Sequence, residues 1–415
     1  FFEKTHCKLL PIQQNLVDGI WKRQALEKKN KFYFLPKNST SETYKQKIKK
    51  VVNNMNNLGV DFHFVTASEN CAWLLNIRGQ DSPYTPIPHS YILIDKNKQV
   101  KLFCDKNKIT SSFKKYLRNI HIIDINLTEK ILRNINGKNF SIDSNTCSIF
   151  FENCILKNNS IINFQDPIYN FKSIKNKKEI ENMKLAHIKD GVALTKYLFW
   201  VKKNYIKKGI TELSASQKLY RFRKKTNSFK FSSFPTISGS GPNGAIIHYR
   251  PTVKTNRKLK KGDIYLVDSG GQYEFGTTDV TRTISLNNSN KRIKNIFTRV
   301  LKGHINVANY KLNSNTSGSK IDIEARKYLK KVGLNYSHGT GHGVGYFLNV
   351  HEGPHAISQK NHIKFKEGMI VSNEPGYYEK NNFGIRIENL VYVKKQKKKL
   401  YFDNLTLVPI DKELI

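Results

Sequence analysis

The sequence predicts an α+β protein built in two structured units, an α/β unit followed by a unit of long helices and antiparallel strands. Three observations lead there. The chain has 415 residues, enough for two or three domains of roughly 100–200 residues each. Its apolar fraction of 38%, with 24 Phe and 20 Tyr, can fill a sizeable core and excludes wholesale disorder. The pattern also changes near Asp166-Pro167: short strand-like runs precede it, and helical spacings follow Ser173.

Taken in order, residues 1–40 alternate short apolar pieces with a Lys-rich stretch and end at Pro36-Lys37-Asn38-Ser39, so they read as a connector. A helix is predicted over 44–58, closed by Gly59, and strands over 62–66, 90–94, 100–104 and 161–164. In the second unit Ile180, Met183, Leu194, Leu198 and Val201 mark a long helix, and Thr211 is placed to cap the next. Ile293, Ile296, Phe297, Val300, Leu301, His304 and Val307 mark a third helix. Ile321, Ala325, Tyr328 and Val332 mark a fourth, with Gly333 as its stop. Strands are predicted over 264–267, 281–286, 369–371, 385–393 and 405–408. No fixed-period repeat is present.

Lys plus Arg number 71 against 32 acids, a formal charge of +39. Such a surplus permits attraction to nucleic acid or anionic membrane. The lysines, however, are dispersed among Ile, Asn and Phe, with no basic stripe interleaved with aromatics. The surplus therefore reads as composition drift at tolerant surface sites, and no nucleic-acid partner is expected. The densest run, KKQKKK at 394–399, is predicted to be a solvated hairpin loop. No stretch approaches the roughly 18 apolar residues of a membrane span, and the opening FFEKTHCKLL lacks the long apolar run of a signal peptide. The chain does not begin with Met and reads as an excerpt. Cys7, Cys71, Cys104, Cys147 and Cys154 form an odd set without a CxxC pair, which predicts reduced thiols, a cytoplasmic location and no thiolate zinc site.

The chemistry is concentrated in the second unit. Asp268 closes the apolar run IYLVD, and Asp279 follows a glycine-rich turn, so the two could face each other across a hairpin. Capping of that turn is the plainer reading of either. The segment HGTGHGVGYFLNVHEGPH holds His338, His342, His351 and His355, with Gly339, Gly341, Gly343 and Gly345 allowing close backbone approach. It is neither a phosphate loop nor a dinucleotide fingerprint. Glu374 precedes a Pro375-Gly376 turn, and FGIRIENLVYV places Arg386 and Glu388 on one face of a strand, where an internal ion pair is the alternative to metal ligation. Four carboxylates and one imidazole could bracket two divalent cations. So oxygen-rich a set suits Mn²⁺ or a similarly hard ion, and a pair of such ions equips a site for hydrolysis.

The ordered set Asp268, Asp279, His342, Glu374 and Glu388 resembles that of the pita-bread metallopeptidases. FPTISGSGPNGAIIHYRP, YLVDSGGQYEFGTTDVTRTI, HGTGHGVGYFLNVHEGP and EPGYYEKNNFGIRIEN are similar to segments of the long-form, cytosolic-type Xaa-Pro aminopeptidases (aminopeptidase P), as are AHIKDGVAL, WLLNIRGQD and LTLVPI. The resemblance implies a connector over 1–40 leading from a domain not included, an α/β creatinase-like domain over 41–170, and a C-terminal pita-bread (creatinase/aminopeptidase) catalytic domain over 171–415. It also implies that the C-terminal tail of that family is not included.

The implied roles follow residue by residue. Asp268 would bind one metal, His342 and Glu374 the other, and Asp279 and Glu388 would bridge both. The resemblance implies a bridging hydroxide as nucleophile, with Glu374 handling its proton. His248, His338 and His351 would line the substrate site, and Tyr378 and Arg386 would orient the ligands. The implied activity is release of the N-terminal residue from peptides with proline at position two, by a cytoplasmic homodimer loaded with two divalent ions such as Mn²⁺. The alternatives are an Xaa-Pro dipeptidase (prolidase) and an inactive pita-bread binding module.

Overall fold

The computed structural model describes every residue except 1–4, 9, 11, 13, 22–29, 288, 289 and 398. Its first unit is built on a six-stranded mixed sheet. In spatial order the strands are His121–Asp124, Val100–Cys104, Ser90–Asp95, Phe62–Val65, Asn139–Ile142 and Ser160–Asn163. Ser90–Asp95 runs antiparallel to both of its neighbours, and the other pairings are parallel. Period-two alternation splits their side chains between two cores. Ile92, Ile94 and Leu102 pack towards the helix Tyr44–Leu58, and Phe64, Leu93, Phe103 and Phe140 pack with Leu132, Cys154 and Ile155 on the other face. The helix starts at a capping box between Thr43 and Gln46 and stops at Gly59, whose φ of 65° suits glycine. Of the connector region, Phe32 and Leu35 are buried, while Tyr33 and Phe34 pair with Ile77-Arg78.

The second unit surrounds short antiparallel sheets with four helices, Lys177–Asn204, Glu212–Lys224, Lys291–Ala308 and Gly318–Lys330. One sheet orders Ile237–Ser240, Ile264–Ser269 and Val280–Ser285; another orders Ile370–Asn373, Asn389–Gln396 and Lys399–Asn404. Thr211 does cap Glu212–Lys224, and Asn176 with Glu179 forms a capping box for the long helix.

Three sequence expectations change. The run 385–393 is not one strand: pairing stops after Arg386 and resumes at Asn389, leaving Ile387 and Glu388 between two sheets. Residues 405–408 are not a strand either; Leu405 N–H donates to Leu390 at 2.9 Å, and Leu390 N–H in turn to Thr406 Oγ1 at 2.9 Å. The 394–399 run lies mostly in ladder rather than loop, with Lys394, Lys395 and Gln396 opposite Tyr401, Leu400 and Lys399. Lys398 lies outside the described residues. The lysine side chains project from an edge hairpin, where ladder pairing and charge solvation are compatible. All five cysteines are free, four of them buried. Among the described residues no helix is long and apolar enough to cross a membrane.

Candidate metal centre

Strand register brings the carboxylates together. Asp268 lies opposite Thr281, and Ser269 opposite Val280, so Asp268 and Asp279 occupy the same end of one ladder. Glu374 directly follows the strand Ile370–Asn373, and Glu388 occupies the break described above, its N–H donating to the Thr281 carbonyl at 3.1 Å. The break is therefore what turns Glu388 towards the Asp268 ladder. His342 belongs to the short strand Gly341–His342, and its N–H donates to Ser372 Oγ at 2.9 Å. The glycines beside it are required by close packing: a Cβ on Gly341 would collide with the Ser372 carbonyl, and one on Gly343 with the Glu352 carbonyl.

Three donor groups result, each with ligand atoms within 4.8 Å of one another: Asp268, Asp279 and Glu388; His342, Glu374 and Glu388; Asp279, His342 and His351. Arg386 pairs with Asp268 at 2.7 Å and not with Glu388, so the internal Arg386–Glu388 ion pair does not form. Glu388 instead accepts from Thr281 Oγ1 at 2.7 Å.

The residues present fit divalent cations. His342 Nδ1 lies 2.9 Å from the Gly343 carbonyl, which can only accept, so that nitrogen carries the proton. Nε2 is then the ring nitrogen that faces the carboxylates, 3.4 Å from both Asp279 and Glu374. In the neutral imidazole that nitrogen is a lone pair facing two carboxylates, an arrangement that is repulsive unless a cation stands among them. Asp268 Oδ1 is buried without a hydrogen-bond partner. Burial and the carboxylates of Asp268 and Glu374 push Asp279 well above the usual carboxylate range; burial, Asp279 and Glu374 do the same to Glu388. Burial also raises Glu374. Protein groups alone leave this cluster short of positive charge.

Around the carboxylates lies a cavity of about 420 Å³, lined among others by Phe234, Pro235, Ile237, His248, His338 and His351. His338 ends a directional chain. Arg386 Nη1 donates to Tyr378 Oη at 2.6 Å, Tyr378 lies 2.9 Å from His338 Nε2, and His338 Nδ1 lies 2.7 Å from the Gly339 carbonyl. Burial and the nearby Arg386 lower His338 to about 4, so it is neutral at pH 7. His351 packs edge-on against His342 at 4.1 Å, and proximity to His342, with burial, lowers it to about 4. His248 is exposed, in a turn rather than a strand. His355 is set apart from the others: it is buried, with Nε2 2.7 Å from the Ile370 carbonyl.

Some contributors were not singled out from the sequence. Ser372 donates to Glu374 Oε1 at 3.0 Å and, like Thr281 beside Asp279, stands two residues from a ligand. That period-two spacing was the available signal. Arg78 of the first unit had no local signal. It is buried and donates to the Phe347 and Tyr346 carbonyls at 2.6 and 3.0 Å, bracing the segment before His351 across the two units. Phe347 there has a φ of +47°, a conformation that needs such support. Next to His351, Glu352 is buried and paired with Lys175 at 2.5 Å.

Residues 181–395 match metallopeptidase family M24, and residues 22–179 match the creatinase/prolidase N-terminal domain. The chain belongs to metallopeptidase family M24, with a creatinase N-terminal domain ahead of a pita-bread domain. It is 41% identical over 403 residues to Xaa-Pro aminopeptidase 1 of Dictyostelium discoideum, covering 93% of this chain and 64% of that protein. It is 35% identical to aminopeptidase P2 of Arabidopsis thaliana, covering 100% of this chain and 64% of that one. The chain thus spans slightly less than two thirds of the length of these relatives. The X-prolyl aminopeptidase of Caenorhabditis elegans, described as a cytosolic enzyme with a di-nuclear active site, superposes with a TM-score of 0.91 at 31% identity, over 97% of this chain and 68% of that one.

Proposed function

We propose that this chain carries the catalytic unit of a metal-dependent aminopeptidase that removes the N-terminal residue from peptides with proline at position two. The observation that carries the reading is His342 Nε2 facing Asp279 and Glu374 at 3.4 Å, with Glu388 and Asp268 completing adjoining donor groups. Two divalent ions fit, one among Asp268, Asp279 and Glu388 and one among His342, Glu374 and Glu388, with Glu388 common to both. The oxygen-rich set favours Mn²⁺. Bound there, such ions supply an acidified water and polarisation of a carbonyl.

The chain's own residues do the rest. Thr281 and Ser372 fix the Glu388 and Glu374 carboxylates, and Arg386 fixes Asp268. Ser372 engages Glu374 Oε1, which leaves Oε2 to take and return a proton. That proton matters because the leaving nitrogen of a prolyl bond has no N–H and departs only once protonated. Neutral His338, its two ring nitrogens held by Tyr378 and the Gly339 carbonyl, shapes the cavity wall, and His351 offers a hydrogen bond to the substrate. The apolar surface of Phe234, Pro235 and Ile237 accepts a proline ring and keeps water away from it. The reduced thiols agree with a cytoplasmic location.

The test is hydrolysis of Xaa-Pro-Xaa tripeptides in added Mn²⁺, with a chelator control. Release of the first residue, abolished by chelation, is the expected result. Cleavage restricted to Xaa-Pro dipeptides would replace this reading with a dipeptidase, and no cleavage with no metal bound would leave a binding module.

A further inference from the structure

The cavity above the metal donors is lined by two arginines, Arg250 and Arg386, and they differ in kind. Arg386 is buried and fully committed, to Asp268 at 2.7 Å, Tyr378 at 2.6 Å and Thr281 at 3.2 Å. Arg250 is exposed and makes no hydrogen bond or ion pair with any described residue. An arginine that both lines the cavity and meets solvent stands at its rim.

Its backbone is nonetheless fixed. The neighbouring Tyr249 is buried, its hydroxyl bonded to Glu212 Oε2 and to the Thr255 carbonyl, both at 2.9 Å. His248 and Arg250 are exposed on either side of Tyr249 and line the same cavity. The floor of the cavity is acidic and one wall is apolar, so Arg250 is the one cation left uncommitted among its described lining residues. A guanidinium in that state, on a rigid base, is built to receive a planar anion.

Resting on the reading of the site as an Xaa-Pro aminopeptidase, we propose that Arg250 is a specificity residue that receives a carboxylate of the substrate on the proline side of the scissile bond. With the scissile bond at the metal donors, the part of the peptide that follows proline must leave through the open rim, where Arg250 stands. The carboxylate is either the C-terminus of a short peptide or an acidic side chain of a longer one; the chemistry at Arg250 is the same.

The test compares the Mn²⁺-supplemented protein with Arg250→Ala and Arg250→Lys on matched peptides. These are an Xaa-Pro-Xaa acid and its C-terminal amide, and Xaa-Pro-Glu and Xaa-Pro-Gln as amides. For a rim-exposed charge pair, Arg250→Ala is expected to raise KM about five-fold for the anionic peptides, with the loss in KM rather than kcat and no change for the neutral amides. Arg250→Lys recovers part of the loss, and added salt erodes the difference. An effect confined to the tripeptide acid assigns the main-chain carboxylate; an effect with Glu over Gln assigns the side chain. Equal KM ratios for anionic and neutral peptides in all three proteins overturn the proposal while leaving the aminopeptidase reading intact. Failure of the parent protein to cleave any of these peptides overturns both.

Discussion

Two of the buried acidic centres in the second unit are held in opposite ways. Asp190, on the long helix, is fully buried and accepts from Arg223 Nε at 2.7 Å and Nη2 at 3.2 Å, from Tyr273 at 2.6 Å and from Thr278 at 2.9 Å. Burial opposes its charge, but Arg223 and these donors outweigh burial and hold the carboxyl below its usual range. Asp279 is buried as well, yet its neighbours are other carboxylates, and it is pushed far upward. The first is a finished structural network. The second is short of positive charge, and the missing charge is what marks it as a site.

The largest effect expected from this contrast is on the donors shared between groups. Asp279→Ala and Glu388→Ala should each reduce kcat by about a thousand-fold or more, since either substitution removes a carboxylate from two donor groups at once. Steady-state kinetics with metal content measured on the same sample decides this; substantial turnover with full metal content would break the assignment.

The second effect concerns stability and has opposite signs at the two centres. In chelator at pH 7, Asp190→Asn should destabilise by about 3–5 kcal/mol, because it leaves Arg223 buried without its partner. Asp279→Asn should instead stabilise the ion-free protein by relieving repulsion. Urea titrations read both. The pH dependence carries the same signs. Asp190, depressed in the fold, stabilises above the ordinary carboxylate range and loses this as pH falls through its lowered pKa. Asp279 and Glu388, raised in the fold, favour the ion-free folded state at acid pH and lose this as pH rises.

A smaller effect is expected behind the ligands. Ser372→Ala should weaken metal affinity about 10–100-fold by calorimetric titration, since Ser372 Oγ joins the His342 backbone to the Glu374 carboxylate. The smallest belongs to His355, buried outside the donor set. Burial, then Lys175, lowers it to about 4. Below pH 6.5 the unfolded chain takes up a proton that the folded one refuses until about pH 4. Its contribution should therefore fall by about 2 kcal/mol between pH 7 and pH 5. Urea titrations at the two pH values should show a flatter dependence for His355→Gln.

Much of the architecture was legible because its signals were local. The helix Tyr44–Leu58 carries its period, its cap and its glycine stop within a short stretch. The residues of the donor set were likewise visible as carboxylates and a histidine in apolar or glycine-rich settings. The run 385–393 misled for the same reason: its apolar pattern is continuous, and nothing in it shows that the chain leaves one sheet and joins another at Glu388. Arg386 and Glu388, two apart, suggested an ion pair, but the switch sends Arg386 to Asp268 instead. Arg78 could not have been found locally at all, since the carbonyls it supports are 268 and 269 residues away along the chain.

The sequence by itself determined which donors exist and in what order, because oxygen and imidazole ligands are properties of residue type and spacing. Only the tertiary structure decided which of them face one another, which are already neutralised and which are left short of charge. Those are properties of pairs: they depend on strand register, on the break at Glu388 and on the partners that burial allows or denies.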